Sequence, residues 1–302
     1  MRAFIFAIAL LAVAAAAPVR AALNVFACEP EWGALAAELG GERVRVAVAT
    51  TALQDPHRIE ARPSLLARVR DADLLVCTGA ELEDGWLPLL LANAGNARIQ
   101  PGRPGHFMAA EYVPLIEKPA RVDRGEGDAH AAGNPHIHTD PRNIAAVAKV
   151  LAARLSAIDP AGASEYARRE ADFLARWQRA IERWQAQAAP LADMAVVSQH
   201  RSFSYLYAWL QLREVAVLEP KPGIEPGAAH LQSVQAALAK TPARMVLVAA
   251  YQNPRPAQWL ARQVGIPAVI LPFTVGGTDT ARDLFSLFDD TLARLLAAAG
   301  RR

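Results

Sequence analysis

The stretch LNVFACEPEWGALAAELGGERVRVAVAT, residues 23–50, decides the fold class of this chain. It begins with the apolar run LNVFAC and ends with the valine-rich run VRVAVAT, and both are typical of buried strands. Between them, Pro30 opens a helical segment that Gly40 and Gly41 end. A strand, a helix and a second strand in this order predict a parallel sheet covered by helices.

The same alternation continues along the chain. A helix that Pro63 opens is followed by a third predicted strand at residues 73–79. The second half predicts further strands at residues 194–198, 214–220, 244–250 and 267–273, with helices near 203–212, 228–240, 256–264 and 280–299. We therefore predict an α/β protein with two lobes of parallel sheet flanked by helices. Its ligand site should lie in the cleft between the lobes, at the carboxyl ends of the strands.

A helical region separates the two predicted lobes. Residues 142–156 and 163–189 are rich in Ala, Arg, Glu and Gln, which favour helices. The second segment would span roughly 40 Å at 1.5 Å per residue and predicts a long helical spine. Residues 101–141 carry many Gly and Pro, so we expect them to be irregular. The predicted units are an N-terminal lobe over 22–141, linking helices over 142–190 and a C-terminal lobe over 191–302.

Residues 1–21 are typical of a cleaved secretory signal peptide. Arg2 provides the positive charge, residues 3–17 form the apolar core, and small residues follow Pro18. We therefore expect a periplasmic protein. Cleavage would remove two basic residues and no acidic one, which leaves 30 of each. A nearly neutral chain gives no indication of a nucleic-acid or membrane-surface partner.

The chain has two cysteines, Cys28 and Cys77. Each follows a predicted strand, so the two could pair in an oxidising compartment or remain separate buried thiols. The run Val25-Phe26-Ala27-Cys28 faintly resembles a lipid-attachment site. Polar residues separate it from the apolar core of the signal peptide, however, and we expect a freely soluble product.

Histidines in loops carry the functional prediction. The chain has seven: His57, His106, His130, His136, His138, His200 and His230. His57 and His200 each follow a predicted strand, and His136 lies in a loop between elements. Imidazoles that converge from separate loops are what a zinc site requires. By contrast, His130 belongs to a polar segment that should be a solvated loop, and the alternative is that this loop captures metal weakly or receives it from a partner. His106 and His230 are expected to be structural.

Four motifs in this order resemble the metal-binding cluster of ABC-transporter substrate-binding proteins, the zinc and manganese group. The resemblance covers the whole mature chain and rests on Asp55-Pro56-His57 with Arg62-Pro63-Ser64, Asn134-Pro135-His136 with Asp140-Pro141, His200-Arg201-Ser202-Phe203-Ser204-Tyr205, and Glu225-Pro226-Gly227. It implies a periplasmic receptor that captures zinc and delivers it to an ABC importer.

The resemblance also implies four metal ligands. The fourth would be a carboxylate near the start of the last helix, where Asp279 has the expected position and Asp283 is the alternative. His138 stands where the family usually has an aromatic residue, and it is an alternative to His136. The implied ligand set is His57, His136, His200 and Asp279.

Zn(II) is the expected metal. Within the resemblance, histidine at the third ligand position, here His200, is typical of zinc binders, and glutamate is typical of manganese binders. Three imidazoles and one carboxylate suit Zn(II), and Mn(II) or another divalent ion is the alternative. Glu60 is a candidate to orient an imidazole. The expected partners are an inner-membrane permease and, as a further candidate, a periplasmic zinc-loading protein; the chain should be a monomer.

Two other classes of function fit the sequence less well. A zinc hydrolase needs three ligands, an open water position and a general base, and the sequence has no His-Glu-x-x-His motif. A receptor for an organic ligand should line its cleft with arginine or aromatic side chains and not with three histidine loops. We therefore expect a receptor and no enzyme.

Overall fold

The computed structural model describes residues 22–119 and 130–300, so the predicted signal peptide lies outside the described part. The described residues form two lobes of the same design, each a four-stranded parallel sheet with helices packed against it. This confirms the predicted fold class. Among the described helices, none is long and apolar enough to span a bilayer.

The first lobe has the strand order β2-β1-β3-β4. At its centre, Val25 of β1 lies opposite Val46 of β2 on one side and Leu74 of β3 on the other. Its elements are β1 (Leu23–Ala27), α1 (Pro30–Gly40), β2 (Val44–Val48), α2 (Pro63–Asp71), β3 (Leu74–Cys77), α3 (Leu87–Ala94) and β4 (His106–Met108). Because every strand pair is parallel, the loops that follow the strands meet at one edge of the sheet.

The second lobe repeats this topology with the order β6-β5-β7-β8, again all parallel. Its elements are β5 (Ala195–Ser198), α6 (Ser204–Leu210), β6 (Arg213–Val217), α7 (Ala228–Leu238), β7 (Met245–Ala249), α8 (Arg255–Val264), β8 (Ala268–Leu271) and α9 (Leu284–Ala299). In both lobes the first strand lies between the second and third, so the first and third strands form the buried centre of the sheet.

Two helices join the lobes, α4 (Pro141–Ile158) and α5 (Ala163–Ala188). The predicted long helix is confirmed, since α5 has 26 residues, packs along α4 and contacts both α1 and α9. The indole of Trp177 donates to the carbonyl oxygen of Pro141 at 2.7 Å, and that of Trp184 donates to Asp289 in α9 at 2.6 Å. The spine is therefore hydrogen-bonded both to the start of α4 and to the last helix of the second lobe.

Two elements of the first lobe were not predicted. The helix α3 is only eight residues long, and its sequence LPLLLANA lacks the polar positions that would mark a helical period. The strand β4 has three residues and pairs only with β3, so the expectation of irregular structure throughout 101–141 was wrong there. The last helix begins at Leu284 and not near residue 280, because Asp283 caps its N-terminus.

The two cysteines are paired. Cys77 ends β3 and Cys28 follows the neighbouring strand β1, and the two Cα atoms are 4.8 Å apart. They form a buried disulfide, which decides between the two alternatives that the sequence leaves open. The bond also engages the sulfur of Cys28 that a lipid attachment would need.

Candidate metal site

Three imidazoles meet between the two lobes. His57 lies in the loop after β2, His136 directly before the turn that leads into α4, and His200 two residues after β5. One ring nitrogen of each lies within 4.8 Å of those of the other two. The ring centroids are 5.5 Å (His57–His136), 5.9 Å (His57–His200) and 5.3 Å (His136–His200) apart. The structure thus brings together three of the four predicted ligands.

The same local arrangement orients His57 and His136. The Oδ1 atom of Asp55 accepts the backbone N–H of His57 at 3.1 Å and lies 2.7 Å from its Nδ1. The Oδ1 atom of Asn134 contacts the backbone nitrogen and Nδ1 of His136, both at 2.9 Å. The intervening proline keeps the residue before it extended. Each Asx-Pro-His motif therefore fixes the ring of its histidine and leaves Nε2 available to a metal.

His200 is oriented by a carboxylate that lies 19 residues further along the chain. Glu219 follows β6, and its Oε2 lies 2.7 Å from Nδ1 of His200. The backbone N–H of Gly223 donates to the same oxygen at 2.8 Å, which holds the carboxylate in place. All three rings thus have an oxygen acceptor at Nδ1, which is the usual way in which proteins orient metal-binding imidazoles.

The opposite nitrogens are the candidate metal ligands. The Nε2 atoms of His57 and His136 are buried, and neither has a hydrogen-bond partner within the described part of the chain. Buried polar atoms without partners are rare and cost about 1–3 kcal/mol each. A zinc ion bound to both would satisfy them, so the three imidazoles fit a zinc ion as donors.

The electrostatics favour a neutral imidazole at His136. Burial lowers the pKa of His136 well below its ordinary value, and the neighbouring rings of His200 and His57 lower it further. Burial acts to raise the pKa of Asp55, but its contacts with His57 outweigh this and leave the pKa below its ordinary value. His136 is therefore neutral, as a metal ligand must be, and Asp55 is ionised.

The structure does not bring Asp279 to the three imidazoles. The side chain that faces His136 after β8 is Phe273, at 5.4 Å between ring centroids. Asp279 lies on the exposed turn that follows, outside the group of converging nitrogens. The alternative, Asp283, is also exposed, and its carboxylate accepts the N–H of Ser286 at 2.7 Å as the cap of α9. The side chain that follows β8 and faces His136 is thus an aromatic ring and not a carboxylate.

His138 and Glu60 lie outside the cluster of three imidazoles. Nε2 of His138 is hydrogen-bonded to the carbonyl oxygen of Phe273 at 3.0 Å, and Nδ1 faces Oε1 of Glu31 at 3.1 Å without hydrogen-bond geometry. This favours His136 over His138 as the ligand. Glu60 is exposed and lies 3.6 Å from Arg62, and the role proposed for it beside His57 belongs to Asp55.

A fourth imidazole lies beside the cluster. The ring of His130 stacks on that of His57, with centroids 5.3 Å apart and planes at 29°. His130, His136 and His200 line one side of a cavity of about 260 Å³. The expectation that His130 belongs to a solvated loop missed this position, since nothing local to residue 130 indicates contact with residue 57.

Comparison with known proteins identifies the family. The sequence model of the family "ZnuA: Zinc-uptake complex component A periplasmic" matches residues 25–298. The chain belongs to this family. The matched residues cover both lobes and the spine of this chain, and the match confirms the resemblance seen in the sequence.

Individual members are distant. The "Zinc-binding lipoprotein AdcA" of Streptococcus pneumoniae is 22% identical over 238 residues, which are 78% of this chain and 46% of AdcA. The chain therefore spans less than half the length of that relative. The "Manganese ABC transporter substrate-binding lipoprotein PsaA" of the same species is 22% identical over 78% of this chain and 74% of PsaA. A crystal structure of ZnuA superposes with a TM-score of 0.76 at 22% identity, over 92% of this chain and 100% of that one.

Proposed function

We propose that this chain is an extracytoplasmic zinc receptor that captures Zn(II) and delivers it to an ABC importer. The observation that carries the proposal is the convergence of three imidazoles, each held at Nδ1, in the cleft between two lobes. We assign metal binding to His57, His136 and His200. Membership of the ZnuA family supports transport as the purpose of the site.

Zinc suits the donors better than manganese does. Zn(II) favours imidazole ligands in a tetrahedral site, whereas Mn(II) prefers oxygen ligands. The two carboxylates nearest the cluster, Asp55 and Glu219, are held against imidazole Nδ1 atoms and do not join the converging nitrogens. Relatives that bear the names of zinc and of manganese proteins both exist, so the donor set is the argument for zinc in this chain.

The fourth metal ligand should come from the side of the cluster that faces the cavity lined by His130, His136 and His200. His130 is the nearest additional imidazole in the described part of the chain, and it would have to move toward the cluster to enter the coordination sphere. Asp279, the predicted fourth ligand, has no such position because its turn is exposed. We therefore propose His130 or a water molecule as the fourth ligand.

A receptor role fits the site better than catalysis. A zinc hydrolase needs a general base beside the metal-bound water. Asp55 and Glu219 are both engaged with imidazoles and leave no free carboxylate in the described cluster. The buried disulfide agrees with an oxidising compartment, and we propose the periplasm. The proposed partners are an inner-membrane permease and a periplasmic zinc-loading protein, with the receptor as a monomer.

The test is metal binding by the untagged protein. Elemental analysis should find about one zinc ion per chain, as expected for a single four-coordinate site. Competition against a chelator should give a lower dissociation constant for Zn(II) than for Mn(II), by a factor of at least about 100 given the softness of the donors. Binding of Mn(II) as tight as that of Zn(II), or no stoichiometric zinc, would contradict the proposal.

The position of Asp279 gives a separate prediction. We expect Asp279→Ala to bind zinc with the dissociation constant of the wild type, because its carboxylate is exposed and lies outside the cluster. Zinc titration against a chelator measures this, with Asp71→Ala, an exposed aspartate at the end of α2, as the control. A tenfold weaker site in Asp279→Ala alone would show that this turn closes over the metal.

A further inference from the structure

His138 lies behind the metal cluster and has no part in the proposed coordination. Its side chain and that of Glu31 are each 1% exposed. Nε2 of His138 donates to the carbonyl oxygen of Phe273 at 3.0 Å, and Nδ1 lies 3.1 Å from Oε1 of Glu31.

Thr274 closes these contacts into a ring. Its hydroxyl donates to Oε2 of Glu31, and the peptide bond between Phe273 and Thr274 completes the circuit. Glu31 belongs to α1 of the first lobe, whereas Phe273 and Thr274 follow β8 of the second. We name these four residues, Glu31, His138, Phe273 and Thr274, the inter-lobe ring.

The inter-lobe ring touches the metal site through Phe273. The aromatic ring of Phe273 lies between two imidazoles, 4.7 Å from that of His138 and 5.4 Å from that of His136. His57 comes from the first lobe and His200 from the second, so the distance between them depends on how the lobes are placed. A shift of one lobe would therefore have two effects at once: it would break the buried contacts of the inter-lobe ring, and it would move these two imidazoles apart.

We propose that the inter-lobe ring is a positioning device that holds the lobes in the arrangement where the three imidazoles can bind one metal ion. The proposal rests on the proposed function. Its physical basis is two buried hydrogen bonds that cross the lobe boundary, from His138 to the carbonyl oxygen of Phe273 and from the Thr274 hydroxyl to Glu31. Because unpaired buried polar groups are costly, the ring favours this one arrangement over others. Zinc affinity should therefore depend on residues that never touch the metal.

The test uses two threonines of the second lobe. Thr274→Val removes the hydroxyl contact with Glu31 and preserves side-chain shape. Thr291→Val is the matched control, because the Thr291 hydroxyl is also buried but donates within α9, to the carbonyl oxygen of Leu287 at 2.7 Å. Glu31→Gln is a second variant that keeps the shape of the ring and removes its carboxylate. For the wild type and each variant, we measure the zinc dissociation constant, the visible absorption bands of bound Co(II) and the melting temperature.

We expect Thr274→Val and Glu31→Gln to raise the zinc dissociation constant about tenfold, equal to about 1.4 kcal/mol, and to shift the cobalt bands. Thr291→Val should lower the melting temperature and leave both metal readouts unchanged. If Thr274→Val and Glu31→Gln only lower the melting temperature, the ring is a structural contact and the inference is overturned while zinc binding stands. If the wild type binds no zinc, the proposed function fails and the inference fails with it.

Discussion

Replacing His136 with alanine is expected to raise the zinc dissociation constant by about 10²–10³-fold. Structural zinc sites contribute roughly 10–16 kcal/mol over four ligands, so one ligand accounts for about 3–4 kcal/mol, and each 1.4 kcal/mol is tenfold. His136 is fully buried, and its pKa lies well below the ordinary value, so the wild-type ring is ready to bind metal without losing a proton. Zinc titration in the presence of a competing chelator measures the change.

The loop around His136 should survive this substitution. The Asn134 side chain donates to Glu117 at 2.8 Å and to the carbonyl oxygen of Arg201 at 2.9 Å, and Tyr205 donates to the Asn134 carbonyl at 2.7 Å. These contacts hold the loop without the imidazole. The matched control is His230→Ala, which removes an imidazole in α7, outside the cluster. A dissociation constant for His136→Ala within threefold of the wild type would exclude His136 as a ligand.

Most of the fold could be predicted because its signals are local. The run from β1 through α1 to β2 carries valine-rich strands, a proline at the helix start and glycines at its end. The helix α3 and the strand β4 were not predicted, because both are short and their positions depend on packing against α2 and β3. Alternation predicts that parallel sheets form, but it does not predict which strands lie at their edges.

The site could be predicted only where a motif and its chemistry coincide. His57 and His136 belong to Asx-Pro-His motifs, in which the residue two positions earlier binds the imidazole. Glu219 and His130 reach the cluster over long sequence separations, and no local pattern marks them. Asp279 lies on an exposed turn beyond Phe273, whose ring packs against those of His136, His138 and Phe203, and no local pattern in the sequence predicts this path of the chain after β8.

The second large effect concerns the pH dependence of stability, and it comes from a pair of buried carboxyl groups. Glu29 precedes α1, Glu83 follows β3, and the two buried carboxyl groups interact with each other electrostatically. Glu83 also accepts the backbone N–H groups of Thr78 at 2.7 Å and Gly79 at 2.9 Å, while the Thr78 hydroxyl donates to Glu29 at 3.1 Å. Burial raises the pKa of Glu83 to about 7. Burial and the nearby charge of Glu83 raise the pKa of Glu29 well above its usual value.

The pair should therefore make the protein less stable as the pH rises. The folded chain holds a proton that the unfolded chain, with a glutamate pKa near 4.5, releases earlier. The stabilisation is complete below about pH 4.5 and is lost as the pH rises through about 7, with a size on the order of 3 kcal/mol. Glu29→Gln places a neutral side chain beside Glu83 at every pH and removes the carboxyl group whose pKa burial raises.

We expect Glu29→Gln to match the wild type in free energy of unfolding at pH 5 and to exceed it at pH 8. Urea unfolding at the two pH values measures both. The control is Glu182→Gln, which changes an exposed glutamate of α5 and should leave the pH dependence unchanged. Parallel pH profiles for Glu29→Gln and the wild type would show that Glu29 and Glu83 do not retain a proton in the fold, and that both carboxylates are ionised and stabilised by the surrounding N–H and hydroxyl groups.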